Sequence, residues 1–294
     1  MLKRVSVIGV GLIGGSFALA LKRAKAVDQV TGFGRAGKDL RAALDLKVID
    51  LAATSIADAV RGADLILIAT PVRQIHGLLA QIAPHLDADT VVTDAGSTKQ
   101  DVVSAAREAL GARAAQFVPG HPIAGAERSG VDAAQADLFD GRNVVLTPLE
   151  ENAPHAVERV RAAWTACGAN VVEMRDAAHD AVFAAVSHLP HILAYALVDD
   201  ISTRDNAAEL FSFAAGGFRD FTRIASSSPE MWRDIALNNR DALLAEIDAY
   251  HARLAEFRKL IDASNGDALE RIMADARAAR DAWLEQFNAA RAIE

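Results

Sequence analysis

The stretch Arg4-Val-Ser-Val-Ile8, followed directly by Gly9-Val-Gly11-Leu-Ile-Gly14-Gly15, decides the fold of this chain. A short β-branched run ends in a G-x-G-x-x-G turn, and small residues at helical spacing follow at once. In a βαβ unit the three glycines allow a tight turn, a close approach of backbone to a pyrophosphate, and close packing of helix on strand. The helix N-terminus then binds the pyrophosphate through its unpaired N–H groups. The stretch predicts a dinucleotide site formed by Gly9, Gly11, Leu12, Ile13 and Gly14.

The second predicted strand, Gln29-Val-Thr-Gly-Phe33, ends where such folds select their cofactor. In NAD-binding proteins an Asp or Glu about twenty residues beyond the glycine turn binds the ribose hydroxyls. Here Gly34 and Arg35 stand at that place, so the acid is missing and a guanidinium lies beside the gap. Because Arg pairs with a 2′-phosphate that an Asp would repel, we expect NADP to be favoured, with NAD as the alternative. The other interpretation of Arg35 is a solvated loop residue.

Strand and helix patterns alternate up to residue 174 and predict one α/β domain of the doubly wound Rossmann type. The continuous apolar run Ala63–Ala69 is typical of a strand buried on both faces of a parallel sheet. Thr70 and Pro71 follow it, at the strand end where cofactors bind, and Pro71 suits a helix start. Ser97 follows the next strand, Thr90–Asp94, and we expect it to face the ligand crevice. A helix N-cap is the other role we consider for Ser97.

His121 stands between Gly120 and Pro122, directly after another short strand, Gln116–Pro119. The following proline restricts the histidine backbone to an extended conformation. This is an unusual place for a core residue and a suitable one for a positioned base. We therefore expect His121 to be catalytic.

Residues 175–294 show only helical patterns and predict an all-helical second domain. His188 and His191 are three residues apart, with Pro190 between them, which indicates a helix start or kink. We expect no metal, because the sequence has no His-Glu-x-x-His and no carboxylate or thiol cluster beside this pair. The two histidines instead suit an anionic substrate, or one of them caps buried backbone.

Arg219 and Arg223 are four residues apart, and we expect one to bind a carboxylate and the other to form a structural ion pair. From Asn239 onward apolar residues recur every three or four positions up to Phe287, interrupted at Asn265-Gly266. This pattern predicts an antiparallel helical hairpin that pairs with a second copy of the chain.

Composition excludes several classes of protein. The net charge of −8 argues against a nucleic-acid surface, which needs a basic face. We expect no membrane partner, because no apolar run looks long enough to span a bilayer. The first strand leaves no room for a signal peptide, so we expect a cytoplasmic protein. The one cysteine, Cys167, allows neither an internal disulfide nor a cysteine zinc site.

With these motifs assembled, the chain resembles the prephenate/arogenate dehydrogenase family of tyrosine biosynthesis over nearly its whole length. Four motifs besides the glycine turn carry the resemblance: Thr93-Asp-Ala-Gly-Ser-Thr-Lys99, Gly120-His-Pro-Ile-Ala-Gly125, Ser187-His-Leu-Pro-His191 and Gly216-Gly-Phe-Arg-Asp-Phe-Thr-Arg223. The resemblance implies a Rossmann domain, a helical domain that forms a homodimer, and an oxidative decarboxylation of a cyclohexadiene with a nicotinamide cofactor.

The resemblance also implies roles for particular residues. His121 would take the proton of the substrate's 4-hydroxyl as hydride departs. Ser97 would hold that hydroxyl and orient the imidazole. The substrate-binding residues would be His188, His191, Arg223, Gly217 and Trp232, with Arg223 as the main carboxylate ligand. A bond from His191 to a keto side chain slightly favours prephenate over arogenate.

Two other functions are compatible with a two-domain Rossmann chain. One is a β-hydroxyacid dehydrogenase or imine reductase, but we see no catalytic-lysine helix motif, and the histidine motifs would remain unexplained. The other is a non-catalytic NADP-binding sensor, which we would expect to have lost His121, Ser97 or Arg223.

Overall fold

The computed structural model describes residues 1–34, 38–125 and 128–292. The chain divides into two compact units, Met1–Arg240 and Asp241–Glu294, and each is described by itself. The domain boundary that the sequence places after residue 174 stays a prediction.

Six strands form the main sheet of the first unit: β1 (Leu2–Ile8), β2 (Val27–Phe33), β3 (Leu51–Ala52), β4 (Leu65–Ile68), β5 (Val91–Asp94) and β6 (Phe117–Val118). Their order is β3-β2-β1-β4-β5-β6, and every neighbouring pair is parallel. This is the doubly wound order, in which ligands bind at the carboxyl ends of the strands where the winding reverses, between β1 and β4. The predicted Rossmann-type fold is confirmed.

Helices cover both faces of this sheet: α1 (Leu12–Arg23), α2 (Lys38–Asp45), α3 (Ile56–Val60), α4 (Val72–Ile82), α5 (Gln100–Leu110) and α6 (Pro154–Ala166). Side chains of β4 alternate between two apolar clusters, as the two-residue period of a strand requires. Leu65 and Leu67 join the cluster that contains Phe17 and Trp164, whereas Ile66 and Ile68 join the one that contains Ile75. The strand is therefore buried on both faces, as predicted from its continuous apolar run.

A second, three-stranded sheet contains β7 (Gly120–Pro122), β8 (Asn143–Leu146) and β9 (Asn170–Glu173). β7 runs antiparallel to β8 and pairs His121 with Val145, while β8 and β9 are parallel. The sequence indicated an extended segment at His121 but gave no sign that it forms a strand of its own sheet. The pairing matters because it holds the His121 backbone in place.

Helices make up the rest of the chain: α7 (Asp176–Phe183), α8 (Leu189–Ser202), α9 (Ala207–Ser212), α10 (Gly216–Thr222), α11 (Pro229–Asn238), α12 (Arg240–Asp262) and α13 (Gly266–Ala292). A π-helical turn, Ala184–His188, joins α7 to α8. Pro190 lacks the N–H that a regular helix would use, and the wider turn next to it lets the helix continue. Such turns are frequent at functional sites.

The continuous helical segment Asp176–Ser202 is long and apolar enough to cross a membrane by length and composition alone. The expectation that no such segment exists is therefore wrong, although a single helix of this kind is weak evidence for a membrane. The segment carries His179, Asp180 and His188, which are all buried and hydrogen-bonded to other elements of the first unit. The polar side chains of this segment therefore have partners within the first unit.

The second unit consists of most of α12 and of α13, joined by a short turn. As far as the structure describes them, the two helices make few close backbone contacts with each other. Large apolar side chains remain exposed in the single chain, among them Leu254, Ile261 and Trp283. The predicted apolar stripes are present, but one chain alone does not cover them.

Candidate active site

The glycine turn between β1 and α1 has no space for side chains at two positions. Gly9 has a φ of +96°, and a Cβ there would lie 2.6 Å from the carbonyl oxygen of Ala69. A Cβ on Gly14 would lie 2.2 Å from the carbonyl oxygen of Gly9. Gly9 thus makes the tight turn and Gly14 the close packing that the sequence assigned to them.

The space beside this turn fits the pyrophosphate of a dinucleotide. Gly11 is the N-cap residue of α1, and no described residue lies within 4 Å of the place where its Cβ would be. The first N–H groups of a helix, here starting at Leu12 and Ile13, lack intrahelical partners. Thr70 follows β4 next to Gly9, and its buried hydroxyl has no hydrogen-bond partner within the described residues. Pro71, the N-cap residue of α4, completes the rim.

Gly34 comes directly after β2, as the cofactor prediction requires, and is half-buried. Among the described residues, nothing lies within 4 Å of the place where a Cβ on Gly34 would be. Arg35 lies outside the described residues, so its predicted contact with a 2′-phosphate stays a prediction.

A buried ion pair holds the backbone of the catalytic candidate. Lys99 Nζ lies 2.5 Å from Oδ2 of Asp94, and neither side chain has any exposed area. The same Nζ donates to the carbonyl of Gly120 at 2.9 Å, while Oδ1 of Asp94 accepts from the N–H of Gly120 at 3.0 Å. Both polar backbone groups of the residue before His121 are therefore bound to one ion pair.

His121 is partly buried and forms a chain of hydrogen bonds into the protein. Its Nδ1 lies 2.8 Å from Nε2 of His179, and Nδ1 of His179 lies 2.8 Å from Oδ1 of Asp180. The Phe183 ring packs edge-on against His121 with centroids 4.9 Å apart. Because Nδ1 of His121 faces inward, Nε2 is the nitrogen available to a substrate.

The sequence analysis missed His179 and Asp180. They lie on α7, 58 and 59 positions beyond His121, and no local motif marks them. The signal that could have found them is composition: an adjacent imidazole and carboxylate interrupt the apolar segment Ala177–Val186. Polar groups in such a segment need buried partners.

Asp180 also corrects the helix-cap interpretation of Ser97. The N-cap residue of α5 is Lys99, and its side chain does not cap the helix. Instead Asp180 accepts from the backbone N–H groups of Lys99 and Gln100, at 2.8 and 2.9 Å. Ser97 is half-buried in the loop between β5 and α5, at the carboxyl edge of the sheet.

Two histidines of the site, His121 and His179, are held neutral. Burial, followed by the nearby imidazole of His179 and the ammonium of Lys99, holds the pKa of His121 well below its usual 6.5. Burial also lowers the pKa of His179, although its hydrogen bond to Asp180 acts in the opposite direction. A neutral His121 is able to accept a proton at physiological pH.

His188 is almost fully buried and is bound by a residue that the sequence analysis did not single out. Asn239 donates through Nδ2 to the carbonyl of Asp180 at 2.8 Å and to Nδ1 of His188 at 3.0 Å. Because Nδ1 accepts a hydrogen bond, the proton of neutral His188 is on Nε2. Burial lowers the pKa of His188 to about 4, so the ring is neutral at physiological pH.

His191 stacks on the buried ring of Trp232, with centroids 3.6 Å apart and planes 20° from parallel. His188 packs against the same indole at 6.0 Å, so three predicted substrate residues lie together. The indole Nε1 is buried without a hydrogen-bond partner in the described part of the chain. Unsatisfied buried donors are few in folded proteins, and its position beside the two histidines makes this indole a candidate contact for a bound ligand.

Arg223 is exposed in the short turn after α10, and its charge contributes to lowering the pKa of His191 below 6.5, after the larger effect of burial. Arg219 pairs with Asp220 at 3.0 Å on the surface. Gly217 is exposed in the first turn of α10, and within the described ranges no atom lies within 4 Å of its Cβ position. Its place in a pocket wall stays a prediction.

Comparisons with known proteins match both halves of the chain. Residues 17–173 match a family model described as prephenate dehydrogenase, nucleotide-binding domain. Residues 175–275 match a model described as prephenate dehydrogenase, dimerization domain. A nucleotide-binding domain agrees with the glycine turn described above, and supports a nicotinamide dinucleotide without distinguishing NAD from NADP.

Curated relatives agree with the models. A prephenate dehydrogenase of Bacillus subtilis is 41% identical over 93% of this chain and 74% of its own length. A cyclohexadienyl dehydrogenase of Zymomonas mobilis is 36% identical over 91% of each chain.

Solved structures give the same result. The prephenate dehydrogenase of A. aeolicus, in complex with hydroxyphenyl propionate and NAD+, superposes with a TM-score of 0.89 at 36% identity, covering 95% of this chain and 98% of its own. Synechocystis arogenate dehydrogenase gives 0.81 at 28% identity, covering 95% and 99%. The chain therefore belongs to the prephenate dehydrogenase family and is a dehydrogenase built from a Rossmann domain and a helical dimerisation domain.

Proposed function

We propose that this chain oxidises and decarboxylates prephenate to 4-hydroxyphenylpyruvate with NAD(P)+ in tyrosine biosynthesis. The observation that carries the proposal is the imidazole of His121. It is neutral, held rigidly at both its backbone and its Nδ1, and presents Nε2 at the carboxyl edge of a dinucleotide-binding sheet. The activities for which the relatives are named supply the substrate class.

The bound cofactor supplies one piece of chemistry, which is acceptance of a hydride from the carbinol carbon of the substrate. His121 Nε2 takes the hydroxyl proton as that hydride leaves. The C–C bond to the ring carboxylate then breaks, its electron pair makes the ring aromatic, and carbon dioxide departs. His121 then returns its proton to the phenolate oxygen, which regenerates the base. Aromatisation drives this step, so the protein supplies alignment and a base.

The remaining predicted residues have binding roles in this proposal. Ser97 holds the hydroxyl, and Arg223 binds a carboxylate through its guanidinium fork. Trp232 and Gly217 form part of the pocket wall. His188 presents Nε2–H as a donor, because Asn239 occupies its Nδ1. These roles rest on the family motifs and on the grouping of the two histidines around Trp232.

Arogenate, which carries an amine in place of the side-chain keto group, is the second candidate substrate, and one hydrogen bond favours it. Nδ1 of His191 lies 2.9 Å from the carbonyl oxygen of Ser187. A carbonyl only accepts, so Nδ1 carries the proton and neutral His191 presents an acceptor at Nε2. An acceptor suits the ammonium of arogenate and not a keto oxygen. His191 therefore gives no support to the preference for prephenate, which rests on the relatives.

Three further features belong to the proposal. The missing acid at Gly34 and the neighbouring Arg35 favour NADP, although the A. aeolicus relative was solved with NAD+. The exposed apolar stripes of α12 and α13 are covered by a second copy of the chain, as the name of the matched dimerization domain implies. The enzyme works in the cytoplasm.

The decisive experiment offers prephenate and arogenate separately to the purified protein, with NADP+ or NAD+, and follows reduction of the nicotinamide by absorbance. We expect turnover with prephenate to exceed turnover with arogenate. Faster turnover of arogenate would replace the first candidate by the second. Turnover of neither substrate with either cofactor would refute the proposed function.

A further inference from the structure

We propose that His179 and Asp180 position His121 as a base. Together they fix which ring nitrogen of His121 carries its proton at rest, and His179 accepts that proton during the reaction. Neither residue is needed to touch the substrate, so both are positioning residues. The proposal rests on the proposed function only for the identity of the substrate that gives up the proton.

The direction of the hydrogen-bond chain starts at Asp180. Its carboxylate is buried, which raises its pKa, but hydrogen bonds from His179 and from the backbone of Gln100 and Lys99 outweigh this effect and lower the pKa overall. The ionised carboxylate accepts only. The atom 2.8 Å from Oδ1, Nδ1 of His179, must therefore carry a proton.

The position of the proton on His179 in turn determines its position on His121. Burial keeps His179 neutral, so with a proton on Nδ1 its Nε2 has a lone pair and accepts. Nδ1 of His121, 2.8 Å away, is then the donor and carries the proton. The remaining nitrogen of His121, Nε2, has the lone pair that a base requires. A single carboxylate thus sets the tautomers of two rings.

The hydrogen-bond chain also determines which ring carries the positive charge after the proton transfer. When Nε2 of His121 takes the substrate's proton, the proton on Nδ1 moves to Nε2 of His179. His121 is then neutral with its proton on Nε2, and His179 is an imidazolium next to the Asp180 carboxylate. The return of both protons restores the resting state, and nothing is gained or lost. The positive charge then lies on His179, where the hydrogen bond to the Asp180 carboxylate favours it.

The hydrogen bonds to Asp180 hold the His179–Asp180 pair in a fixed position. Its two oxygens accept backbone N–H groups at the start of α5, where the helix dipole favours a negative charge. Lys99 supplies one of these N–H groups, and its side chain binds Gly120, next to His121. Lys99 therefore connects both ends of this hydrogen-bond chain.

The first test is nuclear magnetic resonance of protein with 15N-labelled histidine, without substrate or cofactor. Ring nitrogens that carry a proton differ clearly in shift from those with a lone pair. We expect His121, assigned by its loss in His121→Asn, to carry its proton on Nδ1. A proton on Nε2 in the wild-type protein would overturn the proposal whatever the enzyme's substrate is.

Two variants then separate the roles. His179→Leu removes the acceptor, so the tautomer of His121 is no longer fixed, and we expect kcat to fall about 100-fold with little change in KM. His179→Gln keeps an acceptor near the Nε2 position but does not take up a proton. It should restore the Nδ1–H tautomer of His121 and only part of the rate.

The controls make each outcome decisive. His155→Gln, at an exposed position on α6, should leave the kinetics and the His121 signals unchanged. Wild-type kcat in His179→Leu would overturn the proposal, and full recovery in His179→Gln would overturn its proton-transfer step. If His179→Leu does not fold, the wild-type tautomer and the Gln variant still decide. An inactive wild type with the predicted tautomer would refute the proposed function and leave the hydrogen-bond chain intact.

Discussion

The ammonium of Lys99 lies 2.5 Å from the carboxylate of Asp94, and both side chains are fully enclosed in the protein. Breaking a buried ion pair by removing one partner leaves an uncompensated charge in a medium of low dielectric constant. We expect Lys99→Met to lower the free energy of unfolding by about 3–5 kcal/mol. Urea unfolding at fixed protein concentration measures this loss.

A double variant and a surface pair serve as controls for Lys99. Lys99→Met combined with Asp94→Asn removes both charges and should recover part of the loss. Arg107 and Glu151 form an exposed pair at 2.8 Å, and Arg107→Met should cost about 1 kcal/mol or less. A similar cost for Lys99→Met and Arg107→Met would contradict the importance of burial here.

His188 makes the stability of the protein depend on pH. Its pKa is about 4 in the folded chain and about 6.5 when unfolded. The unfolded state therefore binds more protons, and stability is fully present above pH 6.5 and lost as the pH falls toward 4. A shift of this size corresponds to about 3 kcal/mol across that window.

Urea unfolding at several pH values between 7.5 and 4.5 tests the role of His188. The wild-type protein should lose stability as the pH falls, and His188→Asn should flatten this dependence. The exposed His155 is the matched control, and His155→Asn should leave the wild-type slope unchanged. Equal slopes for wild type and His188→Asn would show that His188 is not held neutral by the fold.

His121→Asn tests the base directly. Asn lacks a group that takes up a proton, so we expect kcat to fall by about 10²–10⁴-fold with little change in KM. The wild-type enzyme should also retain kcat/KM well below pH 6.5, because the pKa of His121 lies below its usual value and activity is lost only when the ring is protonated. An effect mostly on KM would make His121 a binding residue.

How much of this site the sequence predicted depends on how locally each part is specified. The glycine turn, β4 and His121 were found because their signals lie within a few adjacent residues. His179 and Asp180 were missed because their meaning arises only when α7 packs against α5 and β7, across 58 to 81 positions. The separate sheet of β7 was missed for the same reason, since strand pairing is a long-range property.

The sequence predicts even less well which ring nitrogen of each histidine carries the proton. The motif Ser187-His-Leu-Pro-His191 predicted two histidines that bind substrate without indicating which of them donates, and the structure gives them opposite hydrogen-bonding roles. Asn239 donates to His188, whereas the Ser187 carbonyl accepts from His191. Such roles follow from the single neighbouring atom at each ring nitrogen, which spacing alone does not define.

Arg223→Ala tests the carboxylate ligand, with Arg219→Ala as a matched control one helical turn away. A hydrogen-bonded charge pair contributes about 1.5–3 kcal/mol, so we expect the KM for substrate to rise roughly 10–100-fold in Arg223→Ala. Arg219 pairs with Asp220 on the surface, and its removal should change KM little. Steady-state kinetics of both variants decide the assignment, and the reverse result would make Arg219 the ligand.

Gly34→Asp tests the cofactor preference. The substitution places an acid where NAD-binding folds have one, at the end of the second strand, and no atom of the described residues lies within 4 Å of the Cβ position of Gly34. A carboxylate there bonds the ribose hydroxyls of NAD and repels the 2′-phosphate of NADP. We expect the ratio of kcat/KM for NADP+ to that for NAD+ to fall at least about tenfold, which corresponds to about 1.4 kcal/mol.

Gly34→Asn, of the same size but uncharged, is the control and should shift the ratio less. An unchanged ratio in Gly34→Asp would show that this position does not select the cofactor.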